Sequence, residues 1–147
     1  MDKKIVYLLV GISGAGKTTR ANVLLKQHPA GVICSIDPYM QDPERGYWFR
    51  MSKLTEAHKQ CRKDFLKACM RGVTPIIVDN LNLSKDYREY YINKALAQGY
   101  VVYVEVLDVT PEVAAKRNTH GVDLPTLERM SQKLDMTEGV YSFGRLS

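Results

Sequence analysis

The sequence predicts an α/β fold built on a mostly parallel, four-stranded central sheet flanked by helices. Four short runs rich in Val and Ile lie between turn residues without alternating with polar residues, which is typical of strands buried on both faces of a sheet. Stretches of helical periodicity separate these runs, so helices are expected to join consecutive parallel strands. A glycine-rich turn follows the first run. With 147 residues and no linker or repeat, the chain is expected to form one domain over residues 1–147.

The predicted strands end where turn residues begin, and the first two helices have clear ends. The first helix follows the glycine-rich turn and stops near His28, just before a proline. The second covers residues 52–71, with apolar residues on one face and Gly72 after its last turn. The four predicted strands are residues 5–10, 32–36, 75–78 and 100–107.

The remaining helices are predicted from capping signals. The third begins at Ser84, a residue type that favours the N-cap, and ends at Gly99. The fourth begins at Thr110, which is followed by proline at the first helical position and an acid in the first turn. A final helix covers about residues 124–134. The short tail after it contains two aromatic residues, and it either covers an edge of the sheet or frays.

The segment GISGAGKTT at residues 11–19 fits the P-loop pattern, in which a strand ends in a glycine-rich turn that opens onto a helix. Such a turn can point successive backbone N–H groups at phosphate oxygens, and the positive end of the next helix adds to the attraction. Lys17 is expected to reach the β- and γ-phosphates, and the Thr18 hydroxyl to bind Mg²⁺. The motif therefore predicts a P-loop NTPase fold that binds ATP or GTP with Mg²⁺. The expected nucleotide-binding residues are Gly11, Ser13, Gly14, Ala15, Gly16, Lys17, Thr18 and Thr19.

Two other uses of a glycine-rich loop are excluded by residue spacing. A dinucleotide-binding loop would have an acid about 20 residues further on, where Asp37 lies. However, the glycines follow the order G-x-x-G-x-G and precede Lys-Thr, whereas a dinucleotide-binding loop has G-x-G-x-x-G. A signalling GTPase would need D-x-x-G and N-K-x-D elements, and neither occurs. The function class that remains is the transfer of a phosphoryl group from ATP to an acceptor.

Polar residues at the carboxyl ends of the strands are candidates for the chemistry, because ligands of open parallel sheets gather there. Asp79 follows the third predicted strand and is interpreted as a Mg²⁺-binding acid, with a turn-forming aspartate as the alternative. Asp37 follows the second and is interpreted as a general base for an attacking hydroxyl, with an Asp-Pro turn as the alternative. Arg117, between two short helices, is interpreted as a lid residue that covers phosphate oxygens; the alternative is a solvated arginine.

The composition of the chain bears on its partners, its cysteine chemistry and its location. The net charge of +5 favours an acidic partner or substrate, and nucleic acid, nucleotide and a charge that serves only solubility are all compatible with it. The three cysteines contain no C-x-x-C pair, which argues against a disulfide framework and a zinc ribbon. The apolar run near the N-terminus has only six residues, too few for a signal peptide or a membrane span. We therefore expect a cytoplasmic protein with no membrane association.

In order and spacing, GISGAGKTT, S-x-D, VDNLNL and KRN-x-HGV resemble the kinase domain of the 5'-hydroxyl polynucleotide kinase family, including its kinase-like branch with an RN-x-HG lid. Members of that family transfer the ATP γ-phosphate to a 5'-hydroxyl of DNA or RNA. By this resemblance Asp37 is the base, Arg117 is the lid arginine, and Asp79 lies at the metal-phosphate site. His120 and Met40 stand at two positions where members often carry arginine.

The resemblance implies a kinase active in nucleic acid end repair, with single-stranded DNA or RNA 5' ends as partners; protein partners are not predicted. Two alternatives are a small-molecule kinase for a nucleoside or another alcohol, and a non-catalytic, nucleotide-gated binding module. The segment GYWFR at residues 46–50 either stacks on a nucleic acid base or packs as core. A row of basic residues on the second helix either contacts the acceptor strand or is a solvated face. The row comprises Lys59, Lys63, Lys67 and Arg71.

Overall fold

The computed structural model describes residues 3–143 and the backbone of residues 145 and 146. The strands are β1 (Ile5–Val10), β2 (Val32–Cys34), β3 (Gln41–Asp42), β4 (Gly46–Tyr47), β5 (Ile76–Asp79), β6 (Val101–Val106), β7 (Gly139–Ser142) and β8 (Arg145–Leu146). The helices are α1 (Lys17–Gln27), α2 (Leu54–Met70), α3 (Lys85–Ala97), α4 (Pro111–Arg117) and α5 (Leu124–Lys133). Single turns of 3-10 helix cover Asp37–Met40 and Met51–Lys53.

The central sheet has six strands in the order β2-β5-β1-β6-β7-β8. The first four of these are parallel, as predicted, with Leu8 of β1 aligned between Val78 of β5 and Val104 of β6. The predicted strand number of four is wrong, because the tail pairs antiparallel with β6 through β7, and β8 pairs antiparallel with β7. The tail thus extends an edge of the sheet, which a short, half-buried sequence such as that of β7 does not signal by its own pattern.

Helices cover both faces of the parallel part of the sheet. On one face α2 and α3 bury the main core, in which the rings of Phe65 and Tyr91 meet edge to face at 4.9 Å between centroids. On the other face α1 packs Ala21 and Leu24 against Leu9 and its neighbours. Near the glycine-rich turn, α4 and α5 pack together over a third cluster comprising Ile12, Ala15, Ala114 and Leu127. These two short helices lie where the lid was predicted.

A buried arginine joins α3 to the segment that leads into β7. The Arg88 guanidinium is 3% exposed, and its Nε donates to the Asn82 carbonyl oxygen at 2.8 Å. Its Nη1 donates to the Thr137 carbonyl oxygen at 3.1 Å, and the Asp135 carboxylate lies 3.6 Å away. The satisfied donors and the nearby carboxylate compensate for burying a charge. Through these bonds the C-terminal segment is placed beside β6.

The second strand is shorter than predicted, and this changes the position of Asp37. β2 ends at Cys34, so Asp37 begins a 3-10 turn instead of closing the strand. The backbone N–H of Ile36 donates to the side chain of Asn80 instead of to a neighbouring strand, and Pro38 has no N–H to donate. A small hairpin of β3 and β4, which the sequence did not reveal, follows this turn. Among the described residues, no helix is long and apolar enough to cross a membrane.

Candidate active site

The glycine-rich turn between β1 and α1 has the backbone shape expected of a phosphate-binding loop. Gly14 and Gly16 have φ angles of 85° and 101°, in the region that side chains disfavour. A side chain at Gly14 would also overlap the carbonyl oxygen of Ala114 in α4, so the turn and the lid are in close contact. The N–H of Gly11 donates to the Leu81 carbonyl oxygen at 3.1 Å, which links the start of the turn to the end of β5.

The Lys17 side chain lies inside the turn. It is 8% exposed, and its Nζ donates to the carbonyl oxygens of Gly11 and Ile12, each at 2.9 Å. Burial lowers the pKa of Lys17 to about 8, while the carboxylates of Asp79 and Asp37 act in the opposite direction. The ammonium group therefore stays charged at neutral pH but loses its proton in mildly alkaline solution.

We expect ATP affinity to fall as pH rises above 8, because a neutral Lys17 must gain a proton before it can pair with phosphate. The loss should approach tenfold for each pH unit above that value, roughly as for any single titrating group. Calorimetric titration with ATP in two buffers of different ionisation enthalpy at pH 8.5 should detect proton uptake. A Lys17→Arg variant stays charged, so its weaker affinity should be independent of pH; the same pH dependence in that variant would assign the effect to another group.

Thr18 and Asp79 form an oxygen-rich pair at the start of α1. The Thr18 hydroxyl donates to Oδ2 of Asp79 at 2.9 Å. Asp79 is the last residue of β5 and is 8% exposed, and burial raises its pKa despite the hydrogen bond from Thr18 and the charge of Lys17. Hydroxyl and carboxylate oxygens are ligands that Mg²⁺ accepts while keeping several of its waters. The pair fits a Mg²⁺ ion, although no group of three or more His, Cys, Asp or Glu gathers as a metal cluster among the residues that the structure describes.

Asp37 lies near this pair and near Lys17, in a half-buried position, and these four residues form the candidate pocket. Burial raises the pKa of its carboxyl, and the negative charge of Asp79 raises that pKa further. The charges of His120 and, to a smaller extent, Lys17 lower it. The Asp37 carboxylate is therefore within electrostatic reach of both the P-loop lysine and the metal-binding acid. A carboxylate with a raised pKa is a stronger proton acceptor than an ordinary aspartate once it is ionised.

Two asparagines after β5 position the two sides of the pocket, and the sequence did not assign them a role. Oδ1 of Asn80 accepts the N–H of Ile36 at 2.9 Å, which fixes the residue before Asp37. Nδ2 of Asn82 donates to the Leu9 carbonyl oxygen at 2.8 Å, which fixes the strand that leads into the P-loop. Both asparagines are buried. The only sequence signal was the pair of amides after an acid at the end of a buried strand.

We expect Asn80→Ala to lower kcat by roughly 10- to 100-fold, because a shift of about 1 Å in the Asp37 turn is enough for such a loss. The unfolding free energy should fall by about 1–3 kcal/mol, since the Ile36 N–H loses its buried acceptor. Tyr100→Phe is the matched control, because it removes a hydrogen bond to the Val73 carbonyl oxygen that is likewise partly buried, on the side of α2. An equal loss of kcat in both variants would show that stability, not the position of Asp37, causes it.

The lid contacts the P-loop on one side and the β3–β4 hairpin on the other. Asn118, after α4, accepts the N–H of His120 at 2.9 Å and donates to the Val122 carbonyl oxygen at 2.8 Å, which shapes the loop. The Ser13 hydroxyl approaches the same asparagine at 3.5 Å. The His120 ring stacks on Tyr47 with 3.9 Å between centroids and 13° between planes. The lid loop thus lies against the segment that follows the Asp37 turn.

The structure brings most of the predicted residues into one pocket but leaves some outside it. Lys17, Thr18, Asp79 and Asp37 surround the same space, as the carboxyl ends of neighbouring parallel strands should. Arg117 is the last residue of α4 and is exposed, and its side chain forms no hydrogen bond or ion pair with any described residue. Thr19 is exposed on the first turn of α1. Met40, by contrast, is fully buried beneath the turn.

A family comparison agrees with this arrangement. A model of a family described as an AAA domain matches residues 6–122, from β1 to the lid loop. The chain belongs to this AAA-domain family. The resemblance of the chain to the polynucleotide kinase family is confirmed by the proteins to which it is similar.

Two curated relatives are similar to this chain over most of its length. The human NEDD4-binding protein 2 is 32% identical over 130 residues, which cover 86% of this chain and 7% of that protein. A candidate bifunctional polynucleotide kinase/RNA ligase of Autographa californica nuclear polyhedrosis virus is 26% identical over 129 residues, covering 80% of this chain and 18% of that protein. The chain therefore spans less than a fifth of the length of either relative.

Solved structures share the fold of this AAA domain. A Pnkp1/Rnl/Hen1 complex matches with a TM-score of 0.71 at 16% identity, covering 99% of this chain and 48% of that chain. The APS kinase of Mycobacterium tuberculosis, in complex with AMPPNP and APS, matches with a TM-score of 0.61 at 14% identity, covering 90% of this chain and 77% of that chain. These likenesses confirm an α/β fold with a mainly parallel sheet flanked by helices.

Proposed function

We propose that this protein is an ATP- and Mg²⁺-dependent kinase that transfers the γ-phosphate to the 5'-hydroxyl end of DNA or RNA. The observation that carries the proposal is the placement of the Asp37 carboxylate within electrostatic reach of Lys17 and Asp79. A phosphate-binding loop alone would support any nucleotide-binding protein, whereas a half-buried base facing it supports transfer to a hydroxyl. The similarity to a candidate polynucleotide kinase favours a nucleic acid acceptor. Residues 1–147 act as one kinase domain, in the cytoplasm, in the repair of nucleic acid ends.

Asp37 acts on the acceptor hydroxyl. Its carboxylate accepts the hydroxyl proton as the 5' oxygen attacks the γ-phosphorus in line with the leaving group. A bond forms between the 5' oxygen and the γ-phosphorus, while the bond from the γ-phosphorus to the β–γ bridging oxygen breaks and ADP leaves with the electron pair. The proton then passes from Asp37 to solvent. Burial raises the pKa of Asp37, which strengthens it as an acceptor once it is ionised.

The P-loop and the lid act on the phosphates. Backbone N–H groups between Ser13 and Thr19 surround the phosphate oxygens, and Lys17 leaves the carbonyl oxygens of Gly11 and Ile12 to pair with them. Thr18 and Asp79 hold Mg²⁺, which when bound neutralises charge on the phosphates. Arg117 lies at the end of α4 and reaches the transferring group when the lid closes.

A small-molecule kinase is the second candidate, since the fold is shared with an APS kinase bound to AMPPNP and APS. The fully buried Met40 favours it, because this side chain offers no positive charge to an acceptor phosphate. Both candidates use the same nucleotide site and the same base. They differ only in the acceptor and in the surface beyond the Asp37 turn that binds it.

The test is phosphate transfer from labelled ATP, with Mg²⁺, to single-stranded DNA and RNA oligonucleotides that carry a 5'-hydroxyl. Transfer that Asp37→Asn loses would support a polynucleotide kinase with this base. Absence of transfer, with intact ATP binding, would overturn the nucleic acid acceptor and direct the assay to nucleosides and other small alcohols. Absence of transfer to any acceptor would support a nucleotide-gated binding module.

A further inference from the structure

The segment between the Asp37 turn and α2 carries an aromatic and arginine cluster that the proposed chemistry does not use. Trp48 is the only tryptophan in the chain and is 39% exposed. The guanidinium carbon of Arg45 lies 4.3 Å from the centroid of its ring, and that of Arg50 lies 4.6 Å away. We call Arg45, Trp48 and Arg50 the indole platform. Phe49 is 44% exposed, so this segment does not pack into the core, which was one of the two interpretations of its sequence.

The platform is fixed close to the proposed base. The backbone N–H of Trp48 donates to the Met40 carbonyl oxygen at 2.7 Å, and Met40 ends the 3-10 turn that Asp37 begins. Because a 3-10 helix rises about 2 Å per residue, that turn separates Asp37 from Met40 by roughly 6 Å along its axis. The platform is therefore attached directly to the turn that carries the proposed base but is separate from it.

The turn of the hairpin is held by one aspartate. Oδ1 of Asp42 accepts the backbone N–H groups of Glu44 and Arg45, each at 2.9 Å. Its other carboxylate oxygen lies 3.5 Å from the Arg45 guanidinium, whose side chain is 58% exposed. An exposed ion pair of this length contributes little, so Arg45 can leave the indole without disrupting the turn. A planar ligand can then replace it on the ring.

Arg50 carries guanidinium donors that no described residue accepts. Its Nε is buried and has no hydrogen-bond partner among the described residues, and the guanidinium lies over the indole ring. No described carboxylate forms an ion pair with it either. An arginine with unused donors beside an exposed indole is suited to a ligand that carries both a planar ring and an anion.

We propose that the indole platform binds the acceptor strand beyond its 5' nucleotide, with a base stacked on Trp48 and backbone phosphates contacted by Arg50 and Arg45. This inference rests on the proposed function, because it names the part of a single-stranded nucleic acid that the acceptor side receives. A base stacks on indole whatever its sequence, so the platform reads strand length and not sequence. A lone nucleoside bound at Asp37 does not reach it.

The first experiment follows the fluorescence of the full chain while a 5'-hydroxyl oligonucleotide is added without ATP. Because Trp48 is the only tryptophan, its emission reports directly on this surface. We expect quenching by a single-stranded octamer of DNA or RNA and little change with adenosine. An octamer that binds, as shown by anisotropy of a dye at its 3' end, but leaves the emission unchanged would overturn the proposal.

The second experiment compares variants by anisotropy and by initial rates. Trp48→Ala should weaken octamer binding by roughly tenfold, whereas the exposed aromatic control Phe143→Ala should not. Arg45→Gln with Arg50→Gln should reduce the slope of log affinity against log salt by about two. The control is the double variant Lys26→Gln with Lys133→Gln, which removes the same amount of charge from exposed positions on α1 and α5. If only substitutions in the basic row of α2 change the slope, the strand follows α2 and the platform assignment is wrong.

Binding and transfer separate this inference from the proposed function. Quenching of Trp48 without phosphate transfer would support the platform and overturn the kinase activity. Transfer to octamers with unaltered KM in Trp48→Ala would support the kinase and overturn the platform. If Trp48 has only a structural role, Trp48→Ala should reduce transfer to a nucleoside 3'-monophosphate as much as transfer to the octamer. If the platform binds the strand, Trp48→Ala should raise the KM for the octamer alone.

Discussion

Replacing Asp37 by asparagine is expected to abolish measurable phosphate transfer while leaving ATP affinity within about threefold of its wild-type value. The amide has nearly the same size but cannot accept the hydroxyl proton, and general-base catalysis contributes roughly 10²–10⁴ in rate. ATP affinity should persist because Lys17 is held by the carbonyl oxygens of Gly11 and Ile12 and forms no hydrogen bond with Asp37. Single-turnover transfer and calorimetric ATP titration on the same preparation measure the two effects.

The pH dependence offers an independent check of this assignment. Only ionised Asp37 can accept a proton, so the wild-type kcat/KM should fall as the pH decreases and Asp37 becomes protonated. Because burial raises the pKa of this carboxyl, the fall should begin at a pH above the ordinary aspartate pKa of about 4. Any residual activity of Asp37→Asn should lack this acid limb. Asp86→Asn, the same change at an exposed position in the first turn of α3, should leave rate and profile unaltered. Wild-type turnover in Asp37→Asn would remove Asp37 from the mechanism.

Replacing Arg117 by alanine is expected to lower kcat by at least about 10², with a much smaller effect on ATP affinity. Arginines that contact a transferring phosphoryl group act on charge that develops in the transition state, so they affect rate more than ground-state binding. The position of Arg117 agrees with this, because an exposed side chain at the end of α4 contributes nothing to the contacts that shape the P-loop. Rates at saturating ATP, together with the dissociation constant of ATP, separate the two effects.

Lys116 provides the matched control for this substitution. It precedes Arg117 in α4, is also exposed, and carries the same charge on a different side of the helix. Lys116→Ala should therefore change kcat by less than about threefold, as expected for a solvated charge. Equal losses of kcat and ATP affinity in Arg117→Ala, or an equal loss of kcat in Lys116→Ala, would contradict a role for Arg117 in the transition state.

The parts of the fold and pocket that depend on local backbone geometry could be predicted from the sequence. Gly14 and Gly16 have the positive φ angles that a phosphate-binding turn needs, and these follow from residue type and spacing alone. Asp79 could be placed because the carboxyl ends of buried parallel strands meet at one edge of the sheet. Asp37 was placed at the correct edge, although it lies in a 3-10 turn and not at the end of the strand.

Features that depend on contacts between distant segments could not be predicted. β7 pairs with β6 through backbone hydrogen bonds, and no repeating pattern in its four residues indicates a strand. The hairpin of β3 and β4 has strands of two residues each, held by the side chain of Asp42 instead of by an extended ladder. The stacking of Tyr47 on His120 joins two segments that only the folded chain brings together. The sequence gives the residue types, while the partners depend on the sheet order.

The hydrogen bond between Asn80 and Ile36 has a consequence for how acceptor preference can change. It ties the base to the central sheet on the N-terminal side of Asp37, so the residues from 41 to 53 lie beyond the tie and outside the transfer centre. Substitutions or insertions in that stretch can reshape the surface that meets the acceptor without moving the carboxylate relative to the phosphates. A kinase organised in this way can acquire a new substrate by altering one surface segment, while the chemistry of transfer remains as it was.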